Sequence, residues 1–448
     1  MSRGVLRSLG ARAETEIRAN RHILVNAGSM MGTTLVTALL GAAFWWLAAH
    51  DFSQSAVGVA SAAVSAMTLL GYLATLGLGT LLMGELPRLQ RGHRGLINAA
   101  LSASGLIGVA LGIAFALLAP ALSEDLGSLS SSWAAALMFA VGVGLTGLAG
   151  VLDQALIGLM RGSMQLNRNV VFSVVKLLAL AAVSVGIANP DGVWIYSAWV
   201  VGLGLSLVVL TQLYLRRGDD TLRPSFAALG RMRRSAATHH VFNLAIRTPD
   251  LVLPLIVVTV LSATATANFY IAWMIASFAF MVPVSLSSVL YAFGSGEAAG
   301  LGERYRLSIA LSASLGLAAN VILLLAGGAI LSVFGASYEQ GALTTLHVLA
   351  LGVFPETVKA HYLSICRLER RIAAAMPIVI GGTVLELVGA AVGGALGDLS
   401  LVAAGWLAAV TLEAIYMSRA VLRFAGKARR RESDPCEVET SDPPYSAR

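Results

Sequence analysis

Eight ionisable side chains stand inside long apolar runs of this 448-residue chain: Asp153, Lys176, Arg247, Asp250, Glu356, Lys359, Glu386 and Glu413. An isolated charge at the centre of a membrane-spanning helix costs about 2.5–3.5 kcal/mol on insertion scales. Each of these groups therefore needs a partner or a water-filled cavity. Lys176, in Val174-Val-Lys-Leu-Leu178, lies about 12 Å along a helix from Arg168, too deep to reach the interface comfortably. Asp153, at a similar expected depth on the preceding helix, is its expected ion-pair partner. In the alternative reading Lys176 faces a cavity, and Asp153 neutralises it until an anion arrives. Arg247, in Asn243-Leu-Ala-Ile-Arg-Thr-Pro-Asp250, is three residues from Asp250 and can pair with it along the helix. Its planar fork also suits phosphate oxygens, with Asn243 one turn below on the same face. Glu356 and Lys359 are likewise three apart and expected to pair. Glu386 and Glu413 have no obvious basic partner. They are expected either to carry protons or to serve as buried neutral hydrogen-bond donors.

The elements that hold these groups are long apolar helices. Hydrophobic residues make up 57% of the chain and charged residues 12%, with a mean hydropathy of +0.77. A soluble domain carries roughly 25% charge. Twelve spans are predicted, at 23–49, 56–84, 95–119, 132–160, 168–188, 193–215, 241–262, 267–292, 306–334, 342–363, 373–396 and 400–424. Each is long enough for a hydrocarbon core of about 30 Å. Arg and Lys fall in alternate gaps only. The segments 50–55, 122–130, 189–192, 263–267, 335–341 and 397–399 contain neither. By the positive-inside rule both termini are then cytoplasmic. Trp45, Trp46, Trp133 and Trp194 are expected at outer helix ends as an aromatic belt.

This predicts an all-α polytopic membrane protein. Its parts are a cytoplasmic N-terminal segment 1–22, a six-helix lobe 23–215, a basic cytoplasmic linker 216–240, a second six-helix lobe 241–424 and a disordered tail 425–448. The halves echo each other: Asn26 opens the first span and Asn243 the seventh, and each is followed by a hairpin ending at an acid, Glu85 or Glu297. Parallel halves of this kind imply a pseudo-twofold axis along the membrane normal. Gly108 and Gly112, and Gly389, Gly393 and Gly397, have the spacing of close helix packing within the monomer. Pro249 and Pro254 are expected to kink or break the seventh span. Met1 to Asn20 has no apolar run of a cleavable signal, so the first span is expected to act as an uncleaved anchor.

Several function classes lose support. No Walker loop, nucleophile elbow, H-E-x-x-H or Cys/His metal spacing occurs, so neither enzyme chemistry nor a cofactor is expected. Cys366 and Cys436 both fall on the expected cytoplasmic side, where disulfides rarely persist. No basic block has the interleaved aromatics of a nucleic-acid surface. The excess of 28 Arg over 3 Lys points to a GC-rich bacterial genome.

The runs Phe242-Asn-Leu-Ala-Ile-Arg-Thr-Pro-Asp-Leu-Val-Leu-Pro-Leu255, Ala267-Asn-Phe-Tyr-Ile-Ala-Trp-Met-Ile-Ala276 and Phe280-Met-Val-Pro283 through Gly296-Glu297 resemble bacterial polysaccharide-biosynthesis membrane proteins. These are similar to the lipid-linked oligosaccharide flippases of the MATE-like, or MOP, exporter superfamily. The resemblance implies two six-helix lobes around a central cavity in the bacterial inner membrane. It implies movement of a polyprenyl-pyrophosphate-linked glycan between leaflets by alternating access, with membrane lipids and glycan polymerase or glycosyltransferases as further partners. Arg247, Lys176, Asn243, Asn26 and Lys359 are then the candidate substrate contacts. Asp153, Glu386 and Glu413 are the candidates for ion coupling. Three other readings stay open. One is a proton- or sodium-coupled antiporter of the same architecture, in which embedded acids dominate. Another is a transporter of the major facilitator type, disfavoured because Gly84 to Gly95 lacks the G-x-x-x-D-R-x-G-R-R pattern. The third is a non-transporting scaffold for glycan enzymes.

Overall fold

A computed structural model describes residues 21–89, 92–215, 224–226, 233–294 and 301–433; within these, side chains are described except at 21–35, 211–215, 233–239, 292–294, 301 and 425–433. Residues 1–20, most of the linker, the tail beyond Ser433, Glu297, Cys436 and the Asn26 side chain lie outside the described set; the backbone of 425–433, expected to be disordered, continues the last helix.

The described residues form helices joined by short turns: α1 (Arg21–Asp51), α2 (Gln54–Ala74), α3 (Leu78–Glu85), α4 (His93–Leu122), α5 (Trp133–Gly158), α6 (Gly162–Gly186), α7 (Gly192–Leu215), α8 (Arg233–Val260), α9 (Ala263–Gly294), α10 (Leu301–Ser332), α11 (Ala336–Ala350), α12 (Val353–Leu368), α13 (Ile372–Ala395) and α14 (Leu399–Ser433). Among the described residues ten helices are long and apolar enough to cross a membrane. The bent pair α11 and α12 makes an eleventh span. With the 31-residue α1 this matches the expected set of twelve. The fold is all-α and polytopic.

Side-chain caps start several helices. Ser53 accepts from the Ala56 N–H, Ser132 from Ala135, Asp191 from Val193 and Asp398 from Ser400. Such caps satisfy backbone donors that have no partner within the helix.

Among the described residues two spans are broken, and neither is the seventh, where Pro249 and Pro254 stand. α8 runs unbroken through Pro249 and Pro254. The second span is instead interrupted between α2 and α3, where Leu76 and Gly77 take φ of 48° and 76°. The tenth bends by 44° between α11 and α12, two residues before Pro355 enters the new helix. There Asn320 of α10 donates to the Ala350 carbonyl at 2.8 Å and satisfies the exposed end of α11.

The chain divides into two compact units, Met1–Ala267 and Asn268–Arg448. α8 packs along α2 and α3, so the seventh span belongs with the first unit, whereas a six-plus-six division of the sequence counts it in the second half. In the first unit α2 is central, against α4, α5, α7 and α8. In the second α14 is central, against α10, α11, α12 and α13.

The glycine spacing does serve packing within the chain. A Cβ at Gly108 would lie 2.8 Å from Gly144 Cα, and one at Gly405 would lie 2.0 Å from the Gly389 carbonyl oxygen. Gly397 is different: it sits in the α13–α14 turn with φ of 84°. Trp46, Trp133 and Trp194 are exposed as belt residues should be, but Trp45 is buried in the first unit.

Candidate functional site

Asp153 and Lys176 do not pair. Asp153 is gripped by Arg168, with Nε on Oδ1 at 2.8 Å and Nη2 on Oδ2 at 2.6 Å. The reason lies in the turn. α5 ends at Gly158 and α6 starts at Gly162, so the chain reverses near Met160, at φ of 56°, rather than between Ser163 and Leu166. The residue level with Asp153 is then Arg168, one helix face away, and Lys176 is two turns deeper.

Lys176 is buried, at 2% exposure. Its ammonium lies 3.7 Å from the ring centroid of Trp199, 4.7 Å from Phe172 and 5.0 Å from Phe44. The rings come from α1, α6 and α7. Gly202 of α7 lets the Lys176 backbone approach, since a Cβ there would fall 2.8 Å from Lys176 Cβ. No carboxylate among the described residues forms a salt bridge with it. Each cation–π contact is worth about 0.5–2 kcal/mol. Burying an ammonium costs several kcal/mol even after relaxation. The rings hold the ammonium in place, with no opposing carboxylate in contact with it among the described residues.

Arg247 is exposed, at 63% of its side chain, and sits 3.7 Å from Asp250 on its own helix. The intrahelical pair is therefore present. Asn243, one turn earlier, is also exposed.

In the second unit the acids do have a basic partner. Lys359 of α12 is in direct contact with the Glu386 carboxylate of α13. It also lies 3.2 Å from Glu413 of α14 and 3.9 Å from Glu356 on its own helix. The expected Glu356–Lys359 pair is thus the loosest of three. The Lys359 ammonium, expected among the substrate contacts, is turned onto carboxylates. Trp406 of α14 donates from Nε1 to the other Glu386 oxygen at 2.7 Å. Its indole packs on Trp273 and Phe280.

Two glycines make this cluster sterically feasible. A Cβ at Gly352 would fall 2.4 Å from the Trp406 ring, and one at Gly382 would fall 2.2 Å from the Glu413 carboxyl carbon. The Trp406 ring and the Glu413 carboxyl therefore each rest on bare backbone. Lys359, Glu386 and Glu413 are all nearly inaccessible. One ammonium against three carboxylates leaves an excess of negative charge, and in this setting such an excess favours uptake of a cation or proton.

The sequence marks the charged residues but not four of their partners: Arg168 for Asp153, the aromatic rings around Lys176, Lys359 for Glu386 and Glu413, and the Trp406 indole on Glu386. Trp199 and Trp406 carry the available signal, as tryptophans within otherwise aliphatic spans.

No protein-family model matches the chain, and no curated protein does. Solved structures do. One is the inward-facing conformation of a multidrug resistance MATE family transporter of the MOP superfamily. It is 16% identical, covers 88% of this chain and 96% of its own, and has a TM-score of 0.71. Another is the lipid II flippase MurJ in an inward closed conformation, 13% identical over 92% of this chain and 93% of its own, with a TM-score of 0.66. A MOP superfamily transporter from Pyrococcus furiosus, described as having a binding pocket of reverse polarity, is 15% identical over 92% of this chain and 96% of its own, with a TM-score of 0.56. The protein is a multi-pass membrane protein with the fold of the MOP-superfamily transporters.

Proposed function

We propose that this chain is a transporter that moves polyprenyl-pyrophosphate-linked saccharide precursors across the bacterial inner membrane by alternating access. In this reading both termini are cytoplasmic. The chain performs no covalent chemistry, and glycan polymerase or glycosyltransferases work beside it. The observation that carries the reading is Lys176, a buried cation held by three aromatic faces with no carboxylate salt bridge among the described residues. A pyrophosphate supplies the missing negative charge. Arg247 offers a second, bidentate contact to phosphate, with Asn243 one turn away on the same span, and Asn26, whose side chain lies outside the described set, stays a candidate contact. The likeness to a flippase of lipid II supports the same class of cargo.

The test is binding by purified protein. Polyprenyl pyrophosphate should raise the melting temperature, and the uncharged polyprenol should not. Lys176→Met keeps the apolar stem among the rings and should abolish the shift. An equal shift with polyprenol would remove the phosphate from the account.

A second reading, a proton- or sodium-coupled antiporter of the MATE type, is favoured by the carboxylates around Lys359. It predicts that organic cations rather than pyrophosphates stabilise the protein.

A further inference from the structure

We infer that Glu413 is a proton-carrying group of the second unit, held as a neutral acid whose hydroxyl donates to Glu386. This stands on the second unit alone and does not depend on the cargo.

The two acids are bound differently. Glu386 is fixed at both oxygens, one by Lys359 and the other by the Trp406 indole. Glu413 is buried, lies against Gly382 and, among the described residues, has only Lys359 nearby as a counter-charge, at 3.2 Å. Among the described residues neither of its oxygens has a hydrogen-bond partner. A buried carboxylate in that condition is costly, because an ion can accept bonds but cannot donate them. On the other side of the Lys359 ammonium lies the Glu386 carboxyl, held by that same ammonium, and it repels Glu413 if both are ionised. A proton on Glu413 removes both difficulties. The repulsion vanishes, and the O–H gains Glu386 as an acceptor.

The charge count points the same way. With Glu413 neutral, Lys359 faces Glu386 directly and the partly exposed Glu356 at a distance. The charged groups that act on Glu413 are Lys359 of α12 and Glu386 of α13. Among the described residues, no charged group from α9, α10 or α11, the other helices packed on α14, forms a salt bridge with it. A proton suits the place better than a metal ion. Lys359 fills the space between the acids, and no group of side chains among the described residues is arranged to hold a metal.

Exchange is simple in its balance: Glu413 gives its proton to water and takes one back, with no other bond made or broken. Loss of the proton adds a carboxylate charge where α12, α13 and α14 meet. Lys359 must then divide itself between two acids. Proton occupancy is thereby linked to the packing of the three helices.

The experiment compares purified wild type, Glu413→Gln and Glu386→Gln in lipid at neutral pH. Infrared difference spectroscopy should show a protonated, buried carboxyl stretch in the wild type and none in Glu413→Gln. The glutamine imitates the neutral acid and donates to Glu386, so Glu413→Gln should melt within a few degrees of wild type. Glu386→Gln removes the anion that Lys359 and Trp406 hold, so it should melt well below. Absence of the carboxyl band in the wild type overturns the assignment, as does its persistence in Glu413→Gln. Failure of Glu413→Gln to fold also overturns it, because a neutral side chain is what the site is inferred to contain.

Discussion

Lys176 and Glu386 hold the same position in two matching helical hairpins, with opposite charge. The α5–α6 turn closes with Arg161 N–H on the Leu156 carbonyl at 2.8 Å and φ of 56° at Met160. The α12–α13 turn closes with Arg371 N–H on the Cys366 carbonyl at 2.8 Å and φ of 55° at Arg370. Lys176 lies fifteen residues beyond Arg161, and Glu386 fifteen beyond Arg371. Each meets a tryptophan seven residues into the next helix, Trp199 in α7 and Trp406 in α14. Two turns further along that face stand Ser206 and Glu413 respectively. One scaffold thus carries a lone cation in the first unit and surplus acids in the second.

The Asp153–Arg168 pair is structural. Asp153→Ala or Arg168→Ala leaves a largely buried charge alone, which typically costs about 3–5 kcal/mol. Either variant should lower the melting temperature and the amount of protein in membranes, and the double variant should recover much of the loss. Full stability of Arg168→Ala would show that the contact contributes little.

Arg247 should behave differently. Its contact with Asp250 is exposed, and such pairs contribute about 0–1 kcal/mol. Arg247→Ala should therefore be as stable as wild type yet impaired in glycan export, with Arg247→Lys partly active. Asp250→Ala should retain export. Equal loss of export in both alanine variants, restored in the double variant, would assign Arg247 to the intrahelical pair alone.

The α13–α14 crossing depends on bare backbone. Gly405→Ala would put a methyl group 2.0 Å from the Gly389 carbonyl oxygen, whereas Gly381 has nothing within 4 Å of its Cβ position. Overpacking of this sort costs about 1–3 kcal/mol. Gly405→Ala should melt lower than wild type and Gly381→Ala should not, as read by thermal unfolding in detergent.

The proposed orientation, with both termini cytoplasmic, rests on the missing Lys and Arg in alternate loops. Cysteines introduced at Asp125 and Glu339 should react with a membrane-impermeant reagent from outside. Cys436 and a cysteine at Arg231 should react only after the membrane is opened. External labelling at position 231 would contradict both cytoplasmic termini.

Much of the architecture was legible because lipid imposes a one-dimensional rule: apolar length sets the spans. The charged residues were legible for the same reason, since charges are rare inside a bilayer. Their partners were not. Pairing Asp153 with Lys176 required the turn at its true place, and Met160 hides that turn by being apolar. Lys359 reaches Glu386 and Glu413 across three helices, and no spacing rule relates residues on different helices. The breaks at Leu76–Gly77 and Leu351–Gly352 also escaped, because prolines drew attention to α8. Proline removes one backbone bond, but neighbouring helices can hold a helix straight through it.

The most direct measurement of the central claim is leaflet transfer of a fluorescent polyprenyl-pyrophosphate saccharide in proteoliposomes containing this protein alone. The account predicts transfer by the wild type, with Lys176→Met folded but reduced to the rate of empty liposomes. Transfer by Lys176→Met at the wild-type rate, or none by a well-folded wild type, would contradict it.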